Sequence, residues 1–187
     1  VLDYMDGALV QEIHQSDNTA DNFGKPQMTL SYGSHHIYFV ASRGAEPALN
    51  TTNATITWSS VRDTFWKHYE LTVTGGTSGG SRAVSLDRVV TKLKAVFLDA
   101  IPTGAAKFEV TPASWYYGMN YTTGEPSEAT VNGTITVNIP TSEIGSVNEA
   151  VSIFGFSSAT EWTTNIAINC KAANNDVLGS ATITSAP

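Results

Sequence analysis

The side chains that could bind a metal ion or act as nucleophiles are few in this chain of 187 residues. His35 and His36 are adjacent, and adjacent side chains on a strand point to opposite faces, so the two cannot bind one ion without a distant third ligand. His14 and His68 show no ligand spacing relative to this pair. We therefore interpret the histidines as structural or surface residues, and we predict neither a metal site nor a cofactor.

Two other stretches superficially suggest chemistry. Cys170 alternates with Ile166 and Ile168 on one face of a strand pattern, so we interpret the thiol as a buried apolar group. The glycine-rich run from Gly75 to Gly80 lacks the Lys-Ser/Thr ending of a phosphate loop and leads into a strand, which indicates a hairpin loop. No local catalytic signature is present, so we predict a non-catalytic protein; an enzyme would need an acid–base pair that converges in a cleft.

An aromatic cluster is the strongest candidate for ligand binding. Trp115, Tyr116, Tyr117 and Tyr121 follow one another closely, and we expect them to lie in a loop. Exposed aromatic rings stack on sugars or anchor a protein partner, because they bring a large contact area with a polar tip. The alternative is that these rings cap one end of a hydrophobic core. The first interpretation requires an exposed, flat platform, and the second requires burial.

One long strand pattern, from Ala83 to Pro102, says most about the elements that must position these residues. Its first half places Val84, Leu86 and Val90 on one face, whereas its second half places Leu93, Ala95 and Phe97 on the other. A side-chain period of two cannot change faces without a bulge, a bend or a change of sheet. We therefore predict that the chain crosses between two sheets near Val89 to Lys92.

The rest of the chain also has the pattern of short strands with turn residues between them. Asp6-Gly7 predicts a hairpin within the first 14 residues, and Asn174-Asn175-Asp176 predicts a tight turn before the last strand. A short helical turn is expected after Ser60. Further strands are predicted at Met28 to Tyr32, His35 to Ser42, Asn50 to Thr57, Tyr69 to Thr74, Lys107 to Thr111, Ala129 to Ile139, Ala150 to Phe156, Trp162 to Ala173 and Val177 to Thr184. The fold class is all-β: one domain over 1–187, a β-sandwich of two antiparallel sheets with at most short helical turns.

Composition narrows the classes of function. The formal net charge is −7 with a pI near 4.9, and no basic stripe is present that could bind nucleic acid. Charged residues make up 14% of the chain, whereas serine, threonine, glycine and asparagine are abundant, as in exported β-rich surface proteins. No transmembrane segment is expected. Because the chain starts inside a strand pattern, we expect it to be part of a longer exported precursor.

Four segments resemble the fimbrillin-like proteins of Bacteroidales, which form the shaft, tip and anchor subunits of fimbriae. The first is Val1-Leu-Asp-Tyr-Met-Asp-Gly7, which resembles a first core strand. The second is Gly33-Ser-His-His-Ile-Tyr-Phe-Val-Ala-Ser42, and the third combines Thr64-Phe-Trp66 with the strand from Val84 to Leu93. The fourth is Val177-Leu-Gly-Ser-Ala-Thr-Ile-Thr184, which resembles a closing strand.

This resemblance implies a transthyretin-like Greek-key sandwich, export as an outer-membrane lipoprotein whose lipid anchor lies outside this sequence, and a role in cell-surface adhesion and pilus assembly. Subunits of that family join by strand exchange with other fimbrial subunits. We expect the exchanging edges at the two terminal strands, marked by Val1, Leu2, Val177 and Ile183. The alternative function is a glycan-binding module of an envelope lipoprotein, with a host or bacterial surface ligand.

Overall fold

A computed structural model describes residues 1–76, 79–131, 133–156 and 164–186, and most of them belong to short antiparallel strands. In chain order the strands are β1 (Leu2–Met5), β2 (Ala8–Glu12), β3 (Gly33–Ser42), β4 (Ala48–Asn50), β5 (Thr55–Thr57), β6 (Thr64–Val73), β7 (Asp87–Arg88), β8 (Val90–Phe97), β9 (Ala105–Pro112), β10 (Ser114–Asn120), β11 (Pro126–Val131), β12 (Ile135–Asn138), β13 (Glu149–Phe156), β14 (Thr164–Ala172) and β15 (Val177–Ala186). A single 3₁₀ turn covers Thr141–Glu143 in this part of the chain. The all-β prediction is therefore confirmed.

The described strands form three antiparallel sheets, whereas the sequence had predicted two. Sheet A has the order β2-β1-β3-β6-β7 and sheet C has the order β12-β9-β14-β15. Sheet B has the order β4-β5-β10-β13-β8, with β11 also paired to β10. None of the described helical turns is long and apolar enough to cross a membrane.

The predicted crossing between sheets occurs at Val89. Strand β7 ends at Arg88 and pairs with β6 in sheet A, whereas β8 begins at Val90 and pairs with β13 in sheet B. The Val89 amide still donates a hydrogen bond of 3.1 Å to the Thr64 carbonyl, so the crossing takes a single residue. The change of buried face falls just after this crossing, within β8, because Val90 and Leu93 lie on opposite faces of sheet B and belong to different hydrophobic clusters. Residues 83–86 of the predicted long strand form no strand.

Two hydrophobic clusters explain why there are three sheets. In the β8–β13 pair, Val90 and Phe156 contact the cluster between sheets A and B, whereas Leu93 and Ile153 contact the cluster between sheets B and C. Residues of opposite parity on a strand lie on opposite faces, so β8 buries one face at Val90 and the other face from Leu93 onward, while Lys92 and Lys94 stay exposed. Cluster 1 contains the buried residues Ile101, Phe108, Val110, Trp115, Ile139, Val151, Ile153, Ile166, Ile168 and Cys170. Cluster 2 contains Leu2, Tyr38, Ile56, Trp58, Val61, Val90, Met119, Tyr121 and Phe156.

The two predicted tight turns are confirmed. Asp6 and Gly7 have φ angles of 51° and 78°, the left-handed pair that joins β1 to β2. Asn175 has a φ angle of 73°, and the Asp176 amide donates a hydrogen bond to the Asn174 side chain, which orders the turn before β15.

Several element predictions were wrong. Residues from Met28 to Tyr32 form no strand, because β3 starts only at Gly33 and its two sides are occupied by β1 and β6. No helical turn follows Ser60; the chain bends there, and the Thr64 hydroxyl donates to the Arg62 carbonyl as β6 begins. The stretch from Ala129 to Ile139 contributes to two strands, β11 and β12. Residues 77–78 of the predicted glycine-rich loop, residue 132 and the first two residues of the predicted strand from Trp162 lie outside the described residues.

Candidate functional sites

The aromatic cluster lies on a strand rather than in the expected loop. Trp115, Tyr116 and Tyr117 belong to β10, and Tyr121 directly follows it. Trp115 is 5% exposed and Tyr121 is fully buried, so these two rings cannot form an exposed platform. This corrects the expectation of a four-residue aromatic surface. The physical reason is that β10 contributes side chains to both hydrophobic clusters.

Specific contacts hold the two buried rings. The Trp115 indole nitrogen donates a 2.9 Å hydrogen bond to the Phe154 carbonyl, and its ring lies over Gly155, where a Cβ would meet it at 2.4 Å. The Tyr121 hydroxyl lies 2.5 Å from the Tyr4 hydroxyl. Burial, followed by the contact with Tyr4, raises the pKa of Tyr121, so the phenol stays neutral. Both rings are therefore structural.

The other two aromatic residues, Tyr116 and Tyr117, are half-buried. Tyr117 lines an open groove of about 420 Å³ together with Trp58, Arg62 and Trp115. Tyrosine and arginine are residue types that bind sugars and peptides, whereas Trp58 and Trp115 are buried beneath the groove. Of the four predicted aromatic residues, Tyr117 is therefore the one that offers a half-buried ring to this groove.

The two predicted terminal edges have different positions in the fold. Leu2 lies on β1, which pairs with β2 on one side and with β3 on the other, so β1 is an interior strand. The prediction of an edge at Val1 and Leu2 is therefore wrong, because the hairpin at Asp6 places β2 outside β1. Val177 and Ile183 lie on β15, which is one of the two edge strands of sheet C; the other is β12.

The β15 edge has no charged residue in its ten positions. Val177 is 56% exposed and Leu178 is 39% exposed. Cys170 and Ile168 of β14 are buried, but the residues opposite them on β15, Gly179 and Ala181, are small and remain exposed. The core-facing side of β15 is thus incompletely covered. Natural edge strands are commonly protected by charges, bulges or short length. β15 has no charged residue and is ten residues long, so two of these protections are missing.

An acid–base pair is buried inside sheet A. The His35 Nδ1 atom lies 2.9 and 3.0 Å from the two carboxylate oxygens of Asp3, and both side chains are 1% exposed. The His35 Nε2 atom lies 3.0 Å from the Ser31 carbonyl. In a catalytic triad this second nitrogen faces a hydroxyl nucleophile, whereas here it faces a backbone acceptor. Asp3 and His35 therefore form a structural pair.

A second cluster of titratable groups lies on the opposite face of β3. His36 pairs with Glu70 and Tyr38 pairs with His68 in the β3–β6 ladder, so the even-numbered side chains share one face. The His36 Nδ1 atom lies 3.1 Å from His68 Nε2 and 3.6 Å from Glu70 Oε1, and His68 Nε2 lies 3.9 Å from the same oxygen. Among the described residues, these three metal-ligating side chains form a close cluster, whose ligand atoms all lie within 4.8 Å of one another.

Ligand spacing along the chain does not reveal this cluster, because its members lie on two different strands. His35 and His36 lie on opposite faces of β3, as predicted. The useful signal was the alternation of His68 and Glu70, which places both on one face of β6. Only the strand register, which is not readable from the chain, places His36 beside them.

Cys170 occupies the predicted environment. It is 7% exposed within cluster 1, and desolvation by burial raises the pKa of its thiol. The reactive thiolate is therefore disfavoured in the folded protein.

Comparisons with known proteins give a fold-level relationship. No family model matches the chain, and no curated protein matches it. The solved structure of a candidate adhesin from Bacteroides ovatus is similar, with a TM-score of 0.53 and 12% sequence identity. The similarity covers 83% of this chain and 66% of that protein, so this chain spans slightly less than two thirds of the relative's length. The architecture is therefore one that a candidate bacterial adhesin also has.

Proposed function

We propose that this chain is a non-catalytic cell-surface protein of the adhesion type, which joins neighbouring subunits by strand addition at β15. The observation that carries the proposal is the β15 edge, which is long and uncharged and has small residues on its core-facing side. Unpaired backbone groups along such an edge accept an added strand. The similarity in fold to the candidate adhesin supports an adhesive role.

In its finer form, the proposal is a fimbrial shaft, tip or anchor subunit with a transthyretin-like Greek-key arrangement. The four segments that resemble fimbrillin-like proteins support this form, and three of them lie on β1, β3 and β15. Export to the outer membrane with a lipid anchor outside this sequence belongs to the same proposal. Because sheet B is shared by both hydrophobic clusters, we also propose that the chain unfolds cooperatively as one domain.

A matched pair of crosslinking sites tests the role of β15. A photo-activatable residue replaces Ser180, which is exposed on β15, and in a control protein it replaces Lys94, which is exposed on the edge strand β8. The full-length protein is expressed in its native cells and irradiated, and adducts are identified by mass spectrometry. Biotinylation of intact cells reports in parallel whether the protein is at the surface.

We expect surface biotinylation, and we expect adducts to another copy or to another surface subunit from position 180 but not from position 94. Strand addition would be excluded if both positions gave the same adducts, or if neither gave any while the protein was at the surface. A protein that is protected from biotinylation in intact cells, and labelled after lysis, would overturn the surface location itself. The two parts of the proposal therefore fail separately.

Glycan binding is the second candidate function, and the groove beside Tyr117 is the observation that favours it. Tyr117 contributes aromatic surface to this groove and Arg62 contributes a charge, whereas the lining residues Trp58 and Trp115 are only 3% and 5% exposed. The test is a glycan array with the wild-type protein and with Tyr117→Ala, using Tyr32→Ala as a control because Tyr32 is 72% exposed and does not line the groove. Binding that Tyr117→Ala removes and Tyr32→Ala keeps supports this function. An empty array, or binding that survives Tyr117→Ala, excludes it.

A further inference from the structure

We propose that His36, His68 and Glu70 form a binding site for a divalent transition metal ion of the zinc class. This site is independent of the proposed adhesive role, and nothing in the argument for β15 depends on it. Three features support it: the positions of three ligand atoms, the chemistry of those atoms, and the regular pairing of the two strands that carry them.

The three atoms are spaced as ligands around one small ion. The distances among His36 Nδ1, His68 Nε2 and Glu70 Oε1 are 3.1, 3.6 and 3.9 Å. The point equidistant from three atoms with these separations lies about 2.1 Å from each one, and zinc bonds to imidazole nitrogen and carboxylate oxygen are about 2.0–2.2 Å long. The three atoms therefore lie at bonding distance from one common point, and an ion there would replace the hydrogen bond between the two imidazole nitrogens.

The ligand types select the class of ion. Two imidazoles and one carboxylate form the ligand set of several three-ligand zinc sites, in which a water molecule or another ligand occupies the fourth position. Imidazole nitrogen favours zinc, copper and nickel, whereas magnesium and calcium require oxygen ligands. The exposed fractions of the His36, His68 and Glu70 side chains are 45%, 27% and 69%, so the fourth position is open to solvent.

The scaffold holds two of the ligands in place. β3 and β6 pair over ten consecutive residues, from Gly33 opposite Val73 to Ser42 opposite Thr64, with no shift of register. The His68 ring stacks on the buried Tyr38 ring with centroids 4.7 Å apart, and on the His36 ring with centroids 5.3 Å apart. Ligands that are already oriented lose less conformational entropy when the ion binds.

Isothermal titration calorimetry of the full chain with zinc chloride tests the site, with magnesium chloride as the comparison ion. We expect one zinc ion per chain and no heat from magnesium. His36→Ala and His68→Ala each remove a ligand, so each should lower zinc affinity by at least about 10-fold. Mutation of a residue that only contacts a ligand already costs about 10-fold or more. His14→Ala is the matched control, because His14 is 53% exposed and contacts Glu46 elsewhere on the surface.

A second measurement identifies the bound atoms. Nitrogen-15 spectra of the imidazole rings should show zinc-dependent shifts at Nδ1 of His36 and at Nε2 of His68, with His14 unchanged. If a histidine variant fails to fold, Glu70→Gln takes its place. Its position is 69% exposed, so this variant should keep the fold and weaken zinc binding. The proposal is overturned if zinc gives no saturable heat, if His14→Ala weakens binding as much as His36→Ala, or if the shifts occur at other nitrogens.

Discussion

The two faces of strand β3 carry the same kind of residue in opposite circumstances. His35 lies on one face, 1% exposed, with a carboxylate on one ring nitrogen and a carbonyl on the other. His36 lies on the other face, 45% exposed, with a second imidazole and the carboxylate of Glu70 nearby. Both nitrogens of His35 are therefore occupied by protein acceptors, whereas those near His36 converge on a point that solvent can reach.

This comparison shows that burial and the number of partners decide whether a reactive side chain has a structural or a chemical role. A buried ion pair is costly to break because the remaining charge has no water, but it offers nothing to a ligand. A half-exposed cluster contributes little to stability and is free to bind. The following predictions test this difference, in order of decreasing effect on the free energy of unfolding.

Removing the carboxylate of the buried pair should have the largest effect. The His35 Nδ1 atom lies within hydrogen-bond distance of both carboxylate oxygens of Asp3, and the two side chains are 1% exposed. Asp3→Ala removes one partner of this buried pair and should lower the free energy of unfolding by about 3–5 kcal/mol, the loss typical of breaking a buried pair. Urea denaturation measures the change. Asp87→Ala is the control, because its ion pair with Lys67 is 67% exposed on the aspartate side and should contribute only about 0–1 kcal/mol.

Strand β14 offers the same contrast between two faces. Cys170 is buried in cluster 1, whereas the next residue, Lys171, forms an ion pair with Glu109 on the opposite face. Cys170→Ser buries a hydroxyl among apolar residues and should lower the free energy of unfolding by about 1–3 kcal/mol. Cys170→Ala introduces no polar group and should cost less. If the serine variant were as stable as the alanine variant, the interior of cluster 1 would have to be accessible to water.

The pH dependence of the wild-type protein gives a further test of the same residue. Burial raises the pKa of the Cys170 thiol, so the folded chain binds this proton more tightly than the unfolded chain. The contribution to stability is complete below the ordinary pKa of 9.0 and is lost as the pH rises through the folded-state value. The free energy of unfolding should therefore fall above pH 9.0 by a larger amount in the wild type than in Cys170→Ala.

The Tyr4–Tyr121 pair tests a buried hydrogen bond that carries no charge. Tyr121→Phe removes one hydroxyl of the 2.5 Å contact and should cost about 1 kcal/mol, the typical net value of such a bond. Tyr4→Phe should cost the same, and the double variant should cost little more than either, since both remove one interaction. Additive effects would show that the two hydroxyls have separate partners. Tyr32→Phe, at a 72% exposed position, is the unaffected control.

The sequence was most informative where local residue types determine the backbone. The turns at Asp6-Gly7 and at Asn174 to Asp176 were predicted because left-handed φ angles favour these residues. The crossing at Val89 was predicted because the period of two makes a change of face visible. Both signals lie within a few consecutive residues.

The sequence was least informative where distant segments meet. Whether β1 lies at the edge or in the interior of sheet A could not be decided from its own residues. It is interior because β2 pairs with its outer side. The burial of Trp115 depends on Gly155, which leaves room for the indole ring 40 positions later in the chain. The His36 cluster similarly depends on a register between strands separated by more than 20 residues. No alternation within one strand contains this information.

The smallest effect on stability is expected at His36. In the absence of zinc, His36→Ala removes a half-exposed ring and should change the free energy of unfolding by no more than about 0.5 kcal/mol, as surface substitutions usually do. Urea denaturation in the presence of a chelator measures this value. In saturating zinc the wild type should become more stable and His36→Ala should not, because an ion stabilises only the folded form that binds it. A large loss in the presence of chelator would mean that His36 has a structural role like that of His35, and the difference between the two faces of β3 would disappear.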